Sequence, residues 1–191
     1  MYYFIKVFTM LVGAAIFHNA QAADSVFVYD PLSESCRDSN GQLGYNAQLR
    51  AECGNLRGAD LRHQNLYGAN LHAADLRGSQ LEEATLINSN LHVAMLNNAN
   101  LNRADLRNAD LGQASLRNAD LQGADLSWAN LIGADLRGAD LRGAVLQGAK
   151  LIGADLRGAK ILMTDFNGAD LRQATLPNDF SSPQQLLAFK P

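Results

Sequence analysis

Ala134-Asp135-Leu136-Arg137-Gly138-Ala139-Asp140-Leu141-Arg142-Gly143 is a five-residue phrase written twice. The phrase extends in both directions without a slip, so that an apolar residue stands at every fifth position from Leu56 to Leu176. The result is 25 consecutive modules, with Leu in the centre of 23 and Ile161 and Phe166 in the other two. Two places before the centre the residue is Ala in 20 of the 25, the exceptions being Gly54, Gln64, Ser79, Ser89 and Thr164. Self-similarity at a fixed short period marks a stacked repeat. A period of five fits neither a helix nor a simple extended alternation, so each module must be a short extended piece followed by a corner.

In an extended piece side chains alternate, which puts Ala134 and Leu136 on one face and Asp135 and Arg137 on the other. The Ala/Leu face is apolar almost throughout and is the inside; a small residue is needed there because a narrow coil has no room for a second large one. Gly138 supplies the corner, since Gly and Asn accept positive φ at little cost. Sorting modules by every fourth gives one column reading Arg57, Arg77, Asn97, Arg117, Arg137, Arg157, Pro177. The corner after it reads Gly58, Gly78, Asn98, Asn118, Gly138, Gly158, Asn178. Sorting by every third scatters the same arginines, so the coil has four sides and 20 residues per circuit. At the spacing of paired β backbones the rod is about 30 Å long.

The tandem A-(D/N)-L-x-x phrase resembles the pentapeptide-repeat family over residues 54–178. The resemblance implies an all-β fold, a right-handed quadrilateral (four-sided) β-helix solenoid of pentapeptide repeats, with the central Leu and the preceding small residue pointing inward. It also brings in family members that imitate duplex DNA, bind DNA gyrase and confer quinolone resistance, and others that pathogens deliver as effectors.

The flanking segments set the expected compartment and ends. Residues 1–22 read as a secretory signal, with Lys6, the apolar run Val7 to Phe17 and the small residues Ala20-Gln21-Ala22 at a cleavage point. That run is shorter than the roughly 20 apolar residues a membrane span needs. The expectation is an exported chain, periplasmic or secreted, with no stable membrane anchor after cleavage. Loss of Lys6 from the 16 basic residues leaves 15 against 19 acidic ones, a net charge of −4. Nothing there draws the protein to nucleic acid. Residues 23–53 are expected to form an N-terminal cap with a short helix over residues 45–53 and a disulfide between Cys36 and Cys53, a loop closure worth about 3 kcal/mol. Residues 179–191 are expected to form a C-terminal cap. There Ser182-Pro183-Gln184-Gln185 has the features of a helix start, and Leu186, Leu187 and Phe189 either plug the rod or pair two copies. The expected state is therefore a monomer, or a homodimer through that cap.

No catalytic motif is present: no nucleophile elbow, zinc-protease helix motif, phosphate loop or dinucleotide fingerprint. A non-enzyme with no cofactor and no metal is expected, a rigid scaffold for an unidentified protein partner. The candidate interaction strip is Arg57, Arg77, Arg117, Arg137 and Arg157, with Asp75, Asp135 and Asp155 available as lateral partners. The other features are His72 over His92, Tyr67 over Ile87, Ile132 over Ile152, and Trp128, which stands at a corner and should project from the rod. Ile161, Met163, Thr164 and Phe166 together lead one to expect a local widening late in the coil. The repeat region carries 12 basic and 13 acidic residues, a net charge of −1, which is far from the acidic surface that DNA mimicry requires.

Overall fold

The structure, a computed structural model, describes residues 55–178. The expected signal, both caps, Gly54, Cys36 and Cys53 lie outside the described residues. Within them the chain winds as one continuous coil. Every bridge between circuits is parallel and joins residues 20 apart, from Asn55↔Asp75 to Asp155↔Thr175. The 124 described residues thus make just over six circuits of four modules each. The pairing takes the form of isolated single-residue bridges, because each side of the circuit is too short for a regular strand before the next corner bends it.

A count of the backbone amides explains the five-residue phrase. In the module around Leu116, the Leu116 N–H donates to Asp135 O at 2.8 Å and the Asn118 N–H to Arg137 O at 3.0 Å, both one circuit on. The Ser115 N–H reaches back one circuit to Ala94 O at 2.9 Å. The Ala119 N–H closes the corner onto Leu116 O at 3.1 Å. One amide per module remains, that of the residue after the Leu. The outer Asp or Asn takes it through its side chain: His92 N–H donates to Asn90 Oδ1 at 3.1 Å, Gly112 to Asp110 Oδ1 at 3.0 Å and Asn167 to Asp165 Oδ1 at 2.9 Å. The frequent outer Asp/Asn is thus a backbone requirement as much as a surface charge.

All corner residues from Gly58 to Gln173, every fifth position, have positive φ. With the Leu-to-small-residue hydrogen bond this is the type II turn pattern, positive φ at the third residue. Gly or Asn suits it, yet Ala73, Val93, Arg103, Trp128 and Met163 adopt it too. Val93, β-branched and at φ 60°, is the most strained of these by residue type.

Inside, the Leu columns are sealed: every central residue from Leu76 to Leu156 is at 0% exposure, and the partnering alanines are buried with them. Polar intrusions are satisfied in place. Ser79 and Ser89 donate their hydroxyls to Leu76 O and Leu86 O, and Thr164 donates to Leu141 O at 2.7 Å. Gln64 turns its amide toward Arg62 O at 3.3 Å. The ladder between circuits runs unbroken past Ile161 and Phe166, and the corner bond from the Thr164 N–H to Ile161 O is 3.2 Å. Gly143 N–H to Leu162 O and Leu146 N–H to Asp165 O keep 3.0 and 2.7 Å, because the Thr164 hydroxyl finds its own acceptor without parting the coils.

Val93→Asn should stabilise the protein by about 1 kcal/mol, since Asn tolerates the left-handed region that strains Val. The same denaturant titration should show Leu116→Ala to cost about 2–5 kcal/mol, the expense of a cavity in a column that cannot collapse.

Candidate functional site

Four walls follow from the register, named here by the Leu column behind each: wall 1 behind Leu56, wall 2 behind Leu61, wall 3 behind Leu66 and wall 4 behind Leu71. The arginine strip lies on wall 1. Apart from Arg57, its arginines are engaged in ion pairs rather than displayed singly. Arg137 pairs with Asp135 at 2.7 Å and Arg157 with Asp155 at 2.6 Å, each in its own circuit. Arg137 also reaches Asp155 one circuit on, at 3.5 Å. Arg117 has Ser115 where an Asp would stand, and it turns instead to Asp135 of the next circuit. The Asn97 Oδ1 accepts both the Ser115 hydroxyl and the Arg117 N–H, at 2.7 and 3.0 Å, and so takes over the missing cap. Arg117, Asp135, Arg137, Asp155 and Arg157 therefore form one continuous zigzag of alternating charge.

The walls differ in balance. On wall 1 five arginines face three aspartates, a surplus of +2. Wall 3 has Asp105, Asp125 and Asp165 against Arg107, a sum of −2. Wall 2 with its corner sums to −1, and wall 4 to zero. Among the described residues, Arg57 forms no ion pair.

Trp128 is 64% exposed, as its corner position implies, but it does not stand straight out. A Cβ built on Gly148, one circuit on, would meet three consecutive atoms of the indole at 2.5–2.8 Å. Near-equal distances to adjacent ring atoms mean that the indole lies face-on over Gly148, with its other face open. His72 and His92 stack at 5.6 Å with ring planes 6° apart, and His92 covers Gly112 beside Asp110 at 3.7 Å. No group of three or more metal-ligating side chains occurs among the described residues. Sequence reasoning placed these columns correctly but missed the cross-circuit pairing of Arg117 and the seat of Trp128. The cues were Ser115 beneath one and Gly148 above the other.

Local carboxylates are held ionised by their arginines. The Arg62 guanidinium hydrogen-bonded to Asp60 draws its carboxyl down to about 2. Asp75, Asp105, Asp155 and Asp170 are lowered in the same way, each by hydrogen bonds from the arginine two residues on. Asp140, the most buried carboxylate among the described residues, is lowered by Arg142 first, with Lys160 adding a second hydrogen bond from the next circuit.

Folded carboxyls with depressed pKa bind protons less readily than those of the unfolded chain. Unfolding therefore takes up protons in acid, and stability should fall as pH drops from about 4 toward about 2 and be restored above it. Urea midpoints across that range test this. Asp140→Asn, which keeps an acceptor for the Arg142 N–H, should cost less than Asp140→Ala, for which a loss of about 1–3 kcal/mol is expected. Gly148→Ala should displace the indole and shift the emission of the single Trp.

Relatives are found by sequence and by structure. The family model described as pentapeptide repeats (8 copies) matches residues 55–92, 87–123, 124–161 and 134–173. Among curated proteins none matches the chain at a significant level. Of solved structures, the chain is similar to HetL, a protein involved in heterocyst differentiation regulation from the cyanobacterium Nostoc sp. strain PCC 7120. The identity is 34% over 65% of this chain, with a TM-score of 0.42. The match spans 66% of HetL, just under two thirds of its length. Rfr23 from the cyanobacterium Cyanothece 51142 is 29% identical over 64% of this chain and 90% of its own, TM-score 0.42. QnrB1, a plasmid-mediated fluoroquinolone resistance protein, is 20% identical over 70% of this chain and 92% of its own, TM-score 0.32. A five-residue phrase matched by the family model over most of the chain, wound into circuits that bridge residues 20 apart, places this protein in the pentapeptide-repeat family.

Proposed function

We propose that this chain is an exported, non-enzymatic scaffold, wound right-handed as its family implies, that docks an acidic protein partner along the arginine strip of wall 1. The observation that supports this reading is the surplus of +2 on that wall, where each of Asp135 and Asp155 is shared between two arginines. An approaching carboxylate can take over one arginine of a shared pair without leaving the aspartate bare. Arginine suits such an exchange because its planar fork binds carboxylates two-pronged. Exposed pairs of this kind contribute little to folding, so the strip is free to be used in binding. The compartment belongs to the same reading, being periplasmic or secreted, with Cys36 and Cys53 joined and the rod closed by caps at residues 23–53 and 179–191.

A gyrase-binding DNA mimic and a secreted effector are the alternatives that family resemblance raises. Duplex mimicry needs acidic walls, whereas the wall sums here run from +2 to −2 and total −1. No observation favours the effector role separately.

Two measurements test the proposal. Arg117→Gln, Arg137→Gln and Arg157→Gln together should abolish capture of acidic partners from the exported fraction while leaving the melting transition within a few degrees. Undiminished capture would reduce the strip to a structural ladder. Sequencing of the mature N-terminus should begin near Ala23, and an intact Met1 would overturn export.

A further inference from the structure

Wall 4 carries opposite charges at separate heights: Asp110, with His92 at 3.7 Å, lies two circuits from Lys150, while Asp170, one circuit beyond Lys150, is taken up by Arg172 at 2.6 Å. Asp110, Asn130 and Lys150 stack one circuit apart, joined by the Asp110↔Asn130 and Asn130↔Lys150 bridges. Asn130 Nδ2 donates to Asp110 Oδ1 at 2.8 Å, which leaves the second carboxylate oxygen available. Lys150 is exposed, and among the described residues it makes no ion pair. Between the two charges lies the apolar row of this wall, with Ile132 40% exposed and Trp128 64% exposed at the edge. Ile152 lies half-buried above Ile132.

We propose that wall 4 is a self-complementary surface on which two copies of this chain pair antiparallel, Lys150 of each against Asp110 of the other. A twofold axis lying across the wall at the level of Asn130 and Ile132 exchanges the row above with the row below. Lys150 then faces Asp110 twice, one such contact on each side of the axis, and the two Ile132 side chains meet at the centre. This is the arrangement an isologous contact demands, since the same patch must complement itself. The remaining walls do not satisfy it. Wall 1 at +2 and wall 3 at −2 each repel their own copies. Wall 2 sums to −1 and ties up most of its charges internally, as in the Arg62–Asp60, Arg142–Asp140 and Lys160–Asp140 pairs.

Size sets the strength. Six rows at about 4.8 Å and a side of five residues at about 3.3 Å give roughly 400 Å² per copy. That is about half of the ~800 Å² each partner buries in a standard interface. The pairing is therefore weak and concentration-dependent, with a dissociation constant on the order of 10 µM or higher. It is independent of the wall 1 strip, which stays open on the adjacent side.

Sedimentation of the intact chain between roughly 5 and 500 µM tests the proposal, a range chosen to bracket that constant. The mass should rise from monomer toward dimer, and less steeply as salt is added. Lys150→Asp and Asp110→Lys should each weaken association by about tenfold or more, because each sets like charges against one another. An equimolar mixture of the two variants should associate about as well as the unaltered protein, because both contacts are then restored between unlike copies. If Asp110→Lys fails to fold, Ile132→Cys serves instead. Under mild oxidation it should give a covalent dimer joined through position 132, the residue nearest the axis. A monomer at all concentrations would overturn the proposal, and so would a dimer indifferent to both charge changes or yielding no bridge through position 132.

Discussion

One hydrogen bond per module, from the central Leu amide to the carbonyl 19 residues on, governs everything else in this molecule. It measures 2.6–2.8 Å at every circuit from Leu56 to Leu156 and locks the register at 20 residues. Once locked, each side chain is assigned a column, and its neighbours are the residues 20 before and 20 after. A one-residue insertion anywhere would turn the following Leu column outward. The absence of any slip over 25 modules is the sequence trace of that constraint. Backbone satisfaction and side-chain layout are thus one problem: the small residue closes the corner, an outer Asp or Asn takes the leftover amide where one is present, and the variation falls on the outer position, the position after the Leu and the corner.

That division explains what could be read from the sequence and what could not. The Leu and Ala columns, the four-sided circuit and the corner positions were legible because the ladder leaves them no alternative. The charge ladder of wall 1 was legible only in outline. Own-circuit pairs such as Arg157 with Asp155 follow from spacing. The turn of Arg117 toward Asp135 depends on Ser115 being too short to hold it, which is a matter of rotamer choice rather than of period. The same holds for Trp128, whose exposure was foreseen from its corner but whose resting place depends on Gly148 having no side chain. The setting of Thr164 was not legible. There the hydroxyl crosses to a carbonyl of the neighbouring circuit, a contact that the period alone does not reveal.

Strain tells a complementary story at the corners. The left-handed backbone is a cost that Gly and Asn minimise, and the ladder imposes it wherever the chain turns, whatever residue stands there. Exceptions such as Val93 and Trp128 persist because the circuits on either side hold them in place. Both side chains lie on the surface, Val93 at 42% and Trp128 at 64% exposure, so neither contributes much to the core in return. In a protein whose interior is nearly invariant, such costs are better evidence of surface use than exposure alone.

A rod of this kind also limits how it can be recognised. A wall of roughly 400 Å² cannot by itself supply the area of a tight protein complex. Strong binding must therefore come from charge matched along the axis, from engagement of two walls around a corner, or from contacts at the rod ends. Wall 1 has the first of these in its shared arginines, and the corner bearing Trp128 lies between walls 3 and 4. A ligand that gripped walls 4 and 1 together would cover the proposed self-pairing surface as it engaged the arginines. Such a ligand and the second copy would compete for wall 4, whereas a partner confined to wall 1 would leave the pairing surface open.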